Sequence, residues 1–277
     1  MSHRRCVYLT GGSSGIGHSL AKHYAQAGDN VILIANEQAK LDSAVRECRA
    51  CATEAHQLIA GVSIDLSNTD NIQARVAKVV DEYGEPDLLI LCAGIAGNGT
   101  FLTMSSDEFD RIMAINFTAS REMARCILPG MLGKGRGKIV FMSSMSGLMG
   151  VYGYSGYCAS KYAITGFVQA LQQELYGTGV KAIIVCPSEV ATPMIAAEAA
   201  TVLPQTRLLK DLVGTLSPDK AADIITKGID QGKDIVLTGF TAKLFVFFHR
   251  VFPGLFRRTT RLIIWYASRK KQDQKGV

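Results

Sequence analysis

The stretch Thr10-Gly11-Gly12-Ser13-Ser14-Gly15-Ile16-Gly17 lies between a short apolar run, residues 6–9, and a segment with helical periodicity near residues 16–27. A glycine-rich turn between a strand and a helix lets the backbone approach a pyrophosphate, while the helix N-terminus supplies unpaired N–H groups and a positive dipole end. Glycines alone mark many tight turns, but this context favours nucleotide binding. The predicted contacts are Gly11, Ser13, Ser14, Gly15, Ile16 and Gly17.

Apolar runs alternate with helical patterns along the rest of the chain. Further apolar runs occupy residues 31–35, 56–66, 88–94, 138–144 and 180–188, and helical patterns occupy residues 37–50, 70–83, 106–132 and 155–176. This alternation implies parallel βαβ units, whose strands are buried on both faces and therefore form continuous apolar runs. The sequence predicts an α/β protein with a Rossmann-like, doubly wound parallel sheet in a single domain.

Length and composition fit one globular domain inside the cell. The 277 residues suit one α/β sheet, and 48% hydrophobic with 19% charged residues argue against global disorder. Seven cysteines, an odd number, do not resemble a secreted disulfide framework, and Cys48 and Cys51 form a lone CxxC. We therefore predict reduced thiols and no metal. The first twelve residues lack a secretory apolar region, so we expect an intracellular protein, in the cytoplasm or on the cytoplasmic face of a membrane.

The positive charge of the chain is concentrated in its last 38 residues. Of the 30 Lys and Arg residues, nine lie in residues 240–277, against one of the 24 acidic residues, which gives this segment a net charge of +8 and residues 1–239 a net charge of −2. The basic character therefore belongs to the tail. We predict a catalytic domain over residues 1–239 and a basic, aromatic-rich helical tail over residues 240–277.

The tail has the pattern of an amphipathic helix. Its apolar side on a helical projection comprises Phe245, Phe248, Phe252, Leu255, Phe256, Ile263 and Tyr266, and its basic side comprises Lys243, Arg250, Arg257 and Arg261. This pattern favours a helix that lies in a membrane interface, and Pro253 should divide it into two helices. Its charges exclude a membrane span. The alternative is that the aromatic side packs on the domain or on a second subunit. We predict no nucleic-acid partner.

A second group of residues points to acid–base chemistry. Ser144 follows an apolar run, and thirteen residues later Tyr157 and Lys161 form a YxxxK pair within a helical pattern. Residues at i and i+4 lie on one helix face, so the ammonium should favour the phenolate and lower the pKa of Tyr157. Tyr157 would then be a usable general acid toward a carbonyl oxygen.

The glycine turn, Asn116 in Met113-Ala114-Ile115-Asn116, Ser143-Ser144 and Tyr157-x-x-x-Lys161 together resemble the short-chain dehydrogenase/reductase family over roughly residues 5–195. The resemblance implies that Ser144 holds the substrate oxygen, that Tyr157 transfers the proton and that Lys161 also binds the nicotinamide ribose. It implies that Asn116 holds a water molecule of a proton relay. It further implies an NAD(P)-dependent enzyme acting on a CH–OH or C=O group, assembled as a homodimer or homotetramer.

The resemblance also implies cofactor contacts outside the glycine turn. These are Asp65 with the adenine, Ala93 and Gly94 near its ribose, Val190 and Thr192 with the carboxamide, and Tyr157, which contacts the cofactor together with Lys161. Two positions depart from the family pattern. Leu91-Cys92 replaces a pair of asparagines, which removes polar side chains between central strands. Ser188 replaces a glycine after Pro187, so a backbone conformation easiest for glycine is altered.

The choice between the two nicotinamide cofactors rests on the residues after the second strand, Ala35-Asn36-Glu37. An acid there binds a ribose 2′-hydroxyl and repels a 2′-phosphate. Position 35 has no acid, and Ser13, Asn36 and Lys40 could hydrogen-bond a 2′-phosphate, whereas Glu37 favours NAD. We predict a preference for NADP(H), with NAD(H) left open.

Within the family, the chain is most similar to reductases that convert 3-ketosphinganine to sphinganine. The similar segments are Ile139–Ser144, Gly147–Tyr154, Pro193–Arg207, Leu216–Ala222 and Gln231–Lys233. A hydrophobic small-molecule or lipid substrate also agrees with the aromatic tail. Two alternatives stay open: a reductase or dehydrogenase of another hydrophobic carbonyl, such as a steroid, retinoid or fatty-acyl ketone, and a non-catalytic nucleotide-binding sensor or scaffold. The presence of all four predicted catalytic residues argues against the second.

Overall fold

Seven parallel strands form the main sheet of the computed structural model, which describes residues 4–54 and 56–273, residues 270–273 by their backbone alone. In chain order these strands are β1 (Cys6–Thr10), β2 (Asn30–Ala35), β3 (Ile59–Ser63), β4 (Leu88–Leu91), β5 (Gly137–Met142), β6 (Val180–Cys186) and, after two short strands, β9 (Ile235–Leu237). Their order across the sheet is β3-β2-β1-β4-β5-β6-β9. The short strands β7 (Glu189–Val190) and β8 (Thr215–Leu216) pair with each other.

Helices cover both faces of the sheet. They are α1 (Gly15–Gln26), α2 (Gln38–Ala50), α3 (Ile72–Tyr83), α4 (Ser106–Met113), α5 (Ala119–Lys134), α6 (Ser155–Glu174), α7 (Pro193–Glu198), α8 (Pro204–Asp211), α9 (Pro218–Asp230), α10 (Phe240–Val251) and α11 (Pro253–Asp273). Buried residues of α1, α2 and α9 form the core on one face, and those of α3, α5 and α6 form the core on the other. The predicted doubly wound sheet in a single domain is confirmed.

The central strand β1 shows why its sequence is continuously apolar. Val7 and Leu9 belong to the core on one face of the sheet and Tyr8 to the core on the other, and all three side chains are fully buried. Alternate residues of a strand point to opposite faces, so the middle of a strand that is covered on both sides is apolar. The order reverses between β1 and β4, and α/β proteins bind ligands at the carboxyl ends of strands at such a switch point.

The helix predicted over residues 106–132 is interrupted. Helix α4 ends at Met113, a wider π-helical turn occupies Ala114–Thr118, and α5 begins at Ala119. The turn holds Asn116, which is fully buried. Its amide exchanges two hydrogen bonds with the backbone of Ile95, 2.8 Å from Ile95 N to Oδ1 and 2.9 Å from Nδ2 to the Ile95 oxygen. Single π turns often mark functional sites, and a 3.6-residue periodicity does not reveal them.

The tail forms two helices, α10 and α11, that meet at Pro253 as predicted. Ala242 and Val246 of α10 are buried with Met145 and Met149 of the body. In α11, Ala267 is buried, and Ser268 accepts a hydrogen bond from Gln205 Nε2 at 3.0 Å. Within the described residues, no helix is long and apolar enough to cross a membrane. The division into two parts at residue 239 stays a prediction.

Candidate active site

A cavity of about 290 Å³ lies at the carboxyl ends of the central strands. One part of its wall is the glycine turn with the first residues of α1, another part contains Ser144, Tyr157 and Lys161, and a third part comes from the tail. The apolar lining includes Met145, Met149, Leu209, Val213, Phe245 and Phe256. The cavity therefore joins a predicted nucleotide site, a predicted acid–base group and an apolar wall in one space.

The glycine turn has the shape of a cradle that side chains would fill. Gly11 and Gly15 have positive φ angles of 67° and 55°. A Cβ on Gly17 would lie 2.2 Å from the Gly11 oxygen, so the first turn of α1 packs directly on the backbone before it. The Ser14 side chain accepts no capping hydrogen bond from α1. Unpaired N–H groups at a helix start, bare of side chains and facing a cavity, fit a pyrophosphate.

The Ser144 side chain interacts with that of Tyr157 in the cavity wall. Ser144 follows β5 and also accepts a hydrogen bond from Ser146 N at 3.1 Å, which orients its hydroxyl. The prediction that a neighbouring ammonium lowers the pKa of Tyr157 is wrong for this structure. Burial raises the pKa of Tyr157 above its usual range, and this effect outweighs the hydrogen bond from Ser144, which lowers it. Tyr157 is therefore a protonated hydroxyl that can donate.

Lys161 lies beneath this tyrosine and is buried. Its Nζ is 5.5 Å from the centre of the Tyr157 ring and donates a hydrogen bond to the Met142 oxygen at 2.8 Å. Burial lowers the pKa of Lys161 to about 8, because the ammonium loses its hydration. Tyr157 and Lys161 thus share one face of α6, as the i, i+4 spacing predicted.

Asn116 is tied to the same helix. Besides its bonds to Ile95, its Nδ2 donates to Ser160 Oγ at 2.9 Å. A Cβ on Gly94 would lie 3.1 Å from Asn116 Oδ1 and 3.5 Å from Lys161 Nζ, so Gly94 allows these groups to approach. Asn116 itself is outside the cavity lining. Its role in holding a water molecule stays a prediction.

The geometry can be compared with known proteins. The model of the short chain dehydrogenase family matches residues 5–202. The chain belongs to this family. It is accordingly an oxidoreductase of carbonyl or hydroxyl groups, and the resemblance stated from the sequence is confirmed.

Three relatives of this short-chain dehydrogenase are reductases. A 3-dehydrosphinganine reductase from Danio rerio is 30% identical over 227 residues, which cover 82% of this chain and 68% of the relative. A 3-ketodihydrosphingosine reductase from Mus musculus is 33% identical over 227 residues, with the same coverage of both chains. The ketoacyl reductase HetN from a Nostoc strain is 33% identical over 225 residues, covering 81% of this chain and 75% of HetN.

Solved structures of short-chain dehydrogenases share the fold. One from Burkholderia phymatum, in complex with NAD, has a TM-score of 0.79 at 24% identity and covers 89% of this chain and 93% of its own. One from Sphingobium yanoikuyae, in complex with NADPH, has a TM-score of 0.75 at 25% identity and covers 85% of this chain and 88% of its own. Both likenesses support the sheet order described above.

Several predicted cofactor contacts of this short-chain dehydrogenase do line the cavity. They are Gly11, Ser14, Gly15, Ile16, Gly17, Ala93, Gly94, Tyr157, Lys161, Val190 and Thr192. Thr192 begins α7 and accepts a hydrogen bond from Ile195 N. A Cβ on Gly15 would lie 2.9 Å from Thr192 Cγ2, so α7 and the glycine turn are in close contact.

Four predicted contacts lie outside the cavity lining: Ser13, Asn36, Lys40 and Asp65. Asn36 is exposed after β2, on the side of the glycine turn away from Tyr157, as the strand order requires. Lys40 pairs with Glu37 at 2.8 Å on the surface. Asp65 is exposed after β3, and hydrogen bonds from Ser67 lower its pKa. Their contacts with a cofactor stay predictions.

The two departures from the family pattern are accommodated. Thr10 Oγ1 accepts hydrogen bonds from the N–H groups of Cys92 and Ala93, both at 3.0 Å, and so joins β1 to β4 without the asparagines. Among the described residues no non-glycine residue has a positive φ, so Ser188 keeps an ordinary backbone conformation. Its N–H donates to Thr238 Oγ1 at 2.9 Å. The expected change of backbone at Ser188 is not accompanied by strain.

Sequence reasoning missed a group of charged residues in the cavity. Glu189, Glu198 and Lys210 line it beside Tyr154. Lys210 Nζ lies 2.7 Å from Glu189 Oε2, and the Tyr154 hydroxyl donates to Glu198 Oε2 at 3.0 Å. These residues come from β7, α7, α8 and the start of α6, and no local spacing links them. Tyr154 and Glu198 lie within segments similar to the reductase subgroup, which was a weak signal, whereas Glu189 and Lys210 lie outside those segments.

Proposed function

We propose that this chain reduces long-chain lipid ketones with NADPH and that its substrate is 3-ketosphinganine, which becomes sphinganine. The observation that supports this proposal is a cavity in which Ser144, Tyr157 and Lys161 share a wall with Phe245 and Phe256. An apolar wall beside an acid–base group fits a ketone on a long alkyl chain. Two relatives that are at least 30% identical carry the name of this reductase activity.

The chain's residues have distinct roles in this proposal. The nicotinamide cofactor, when bound, supplies a hydride to the carbonyl carbon. Ser144 Oγ and the Tyr157 hydroxyl both donate to the carbonyl oxygen, on which negative charge develops. Tyr157 then gives its proton to that oxygen. The Lys161 ammonium stabilises the phenolate that remains, and Asn116 holds a water molecule through which Tyr157 regains a proton.

The glycine cradle would hold the cofactor pyrophosphate and Lys161 its nicotinamide ribose, since both line the same cavity. We infer NADPH over NADH because position 35, at the end of β2, is Ala and the following Asn36 is exposed and polar. Ser13 and Lys40 can add hydrogen bonds to a 2′-phosphate. Glu37 opposes this preference, and its ion pair with Lys40 must open when a phosphate binds. A relative in structure is solved with NADPH.

The tail brings this cavity to a membrane surface in our proposal. Its outward side is apolar: Phe247, Phe252, Leu255, Trp265 and Tyr266 are each about half exposed or more. Arg257, Arg258 and Arg261 lie in the same helix and are exposed. Aromatic side chains and cations together favour an anionic bilayer interface. Since Phe245 and Phe256 of the same helices line the cavity, a lipid could pass from the bilayer into it.

A ketoacyl substrate is the second candidate, favoured by the likeness to HetN. The same apolar wall would accommodate an acyl chain. The two candidates differ in the group beside the ketone, which is an amine in 3-ketosphinganine and a carboxyl derivative in a ketoacyl substrate.

Oxidation of NADPH by the purified full chain tests the proposal. We expect kcat/KM for 3-ketosphinganine to exceed that for a 3-ketoacyl ester of equal chain length by tenfold or more. The Ser144→Ala variant is the background control. Preference for the ketoacyl ester would support the second candidate, and NADPH binding without oxidation by any ketone would support a non-catalytic sensor.

A further inference from the structure

Glu198 has a buried carboxylate oxygen without a partner in the cavity. Its side chain lies at the last residue of α7 and is 9% exposed. Oε1 is buried and has no hydrogen-bond partner among the residues that the structure describes, while Glu198 lines the same cavity as Tyr157. An unpaired buried carboxylate is costly, so native proteins usually pair it with a donor or a cation.

The neighbouring groups do not provide that donor. Both contacts of Glu198 are made by Oε2, which accepts from the Tyr154 hydroxyl at 3.0 Å and lies 3.7 Å from Lys210 Nζ. Lys210 is closer to Glu189, at 2.7 Å, and Arg207 also pairs with Glu189, at 2.9 Å. Burial raises the pKa of Glu198, as expected for a carboxylate that lacks a full counter-charge.

Glu198 is also close to the reacting group. The Tyr154 ring, whose hydroxyl holds Glu198 Oε2, packs edge-on against the Tyr157 ring with 5.8 Å between their centres. Both tyrosines line the cavity. The Glu198 carboxylate also raises the pKa of Tyr157, so the two groups interact electrostatically. A substrate whose ketone reaches the Tyr157 hydroxyl therefore has Glu198 in the wall of the same cavity.

We propose that Glu198 Oε1 binds the ammonium group of a substrate that carries an amine next to its ketone, so that Glu198 determines specificity for amino ketones. An ammonium supplies both the missing donor and the missing charge, and a charge-assisted bond in a buried site is strong. This inference rests on the proposed function, because 3-ketosphinganine has its amine on the carbon beside the ketone. The inference adds that Glu198 distinguishes a ketone with an adjacent amine from a ketone without one.

The test compares two ketones of equal chain length, a 2-amino-3-ketone and the same 3-ketone without the amine, with the full chain and NADPH. The readout is the ratio of their kcat/KM values. Glu198→Gln keeps the size of the side chain and its bond to Tyr154 but removes the charge. We expect this ratio to fall by about 10- to 100-fold, mainly through KM of the amino ketone. Glu174→Gln, an exposed carboxylate on α6, is the matched control and should leave the ratio unchanged.

A ratio that stays within twofold in Glu198→Gln overturns the inference, including the case in which both ketones lose activity equally. If that variant does not fold, binding to the unmodified chain with NADP⁺ decides: dodecylamine should bind at least tenfold more tightly than dodecanol, and equal affinities overturn the inference. Reduction of the plain ketone with no preference for the amine would leave the ketone reductase function intact while this inference fails. Absence of turnover with both ketones, despite NADPH binding, would defeat the proposed function and this inference together.

Discussion

Lys161 Nζ donates a hydrogen bond to the main-chain oxygen of Met142 at 2.8 Å, which ties α6 to the last residue of β5. The bond holds the lysine under the Tyr157 ring, 5.5 Å from its centre. A flexible side chain would otherwise lose rotamer freedom on each catalytic cycle. The position of the proposed acid–base group is therefore set by the sheet and not by the cofactor alone.

Tyr157→Phe should lower turnover by about 10²- to 10⁴-fold, because it removes the proposed proton donor. The affinity for NADPH, measured by calorimetry, should change less than twofold, since the ring remains. Lys161→Ala should impair both turnover and NADPH affinity. Tyr162→Phe on the same helix, whose side chain is 44% exposed, is the control and should change neither. Near-native turnover in Tyr157→Phe would show that another group donates the proton.

Turnover in the direction of ketone reduction should fall as pH rises through about 8, the pKa to which burial lowers Lys161. Above this pH Lys161 loses the charge that stabilises the phenolate, whereas Tyr157, whose pKa burial raises, keeps its proton. Profiles of kcat against pH measure this. In Lys161→Arg the fall near pH 8 should disappear, because a guanidinium stays charged. A fall at the same pH in that variant would assign it to a different group.

Asn36→Arg should raise the preference for NADPH over NADH, measured as the ratio of kcat/KM values, by about tenfold. A guanidinium can hold a phosphate with two parallel hydrogen bonds. Asn36→Asp should reverse the preference by repelling the phosphate. Gln38→Arg adds the same charge two residues further on and should change the ratio much less. Equal kcat/KM for both cofactors in the unmodified chain would contradict the predicted preference.

Gly17→Ala should abolish measurable NADPH binding and lower the Tm, because its Cβ would lie 2.2 Å from the Gly11 oxygen and neither backbone can move independently. Gly166→Ala in α6 is the control, since a Cβ there meets nothing within 4 Å. Alanine favours a helix over glycine by about 1 kcal/mol, so this control should keep or raise the Tm. Normal NADPH binding by Gly17→Ala would place the cofactor elsewhere.

Substitution of Phe247, Phe252 and Leu255 by Ser should weaken binding to anionic vesicles at least tenfold, because these side chains are 55%, 48% and 60% exposed. Replacement of three tail arginines by Gln should weaken binding to these vesicles and reduce its dependence on salt. These arginines are Arg257, Arg258 and Arg261. Leu102→Ser with Tyr176→Ser, two exposed sites outside the tail, is the control. Sedimentation with vesicles measures each effect.

If the tail variant binds vesicles as before, or if it loses its oligomeric state and not its vesicle binding, the outward side of the tail is a protein contact. Surface substitutions are a sharper test than ending the chain after Gly239. That truncation would remove Phe245 and Phe256 from the cavity wall and expose Met145 and Met149. Loss of activity in the truncated chain would therefore not distinguish a membrane role from a packing role.

The amphipathic pattern of the tail was only partly informative. Phe245 and Phe256 pack inward and contact each other edge-on with 6.3 Å between ring centres, while Phe248 and Phe252 are exposed. All four had been placed on one side of a single helical projection. Pro253 separates α10 from α11. Within α10 alone Phe245 packs inward while Phe248 is 43% exposed, so the side that packs is narrower than the predicted apolar side. Some aromatic side chains of the tail therefore pack on the body of the protein, and others are exposed on the opposite side of the tail.

Sequence alone determined the sheet, the glycine turn and the Tyr157–Lys161 pair, because each depends on spacing within one strand, turn or helix. Side chains return to one face every 2.0 residues in a strand and every 3.6 residues in a helix, so a sequence displays both patterns directly. Only the tertiary structure decided the pKa shifts of Tyr157 and Lys161, the inward side of the tail and the place of Glu198 beside Tyr154. These depend on burial and on contacts between different elements, such as Tyr154 with Glu198, 44 positions apart, which packing of the whole chain brings together.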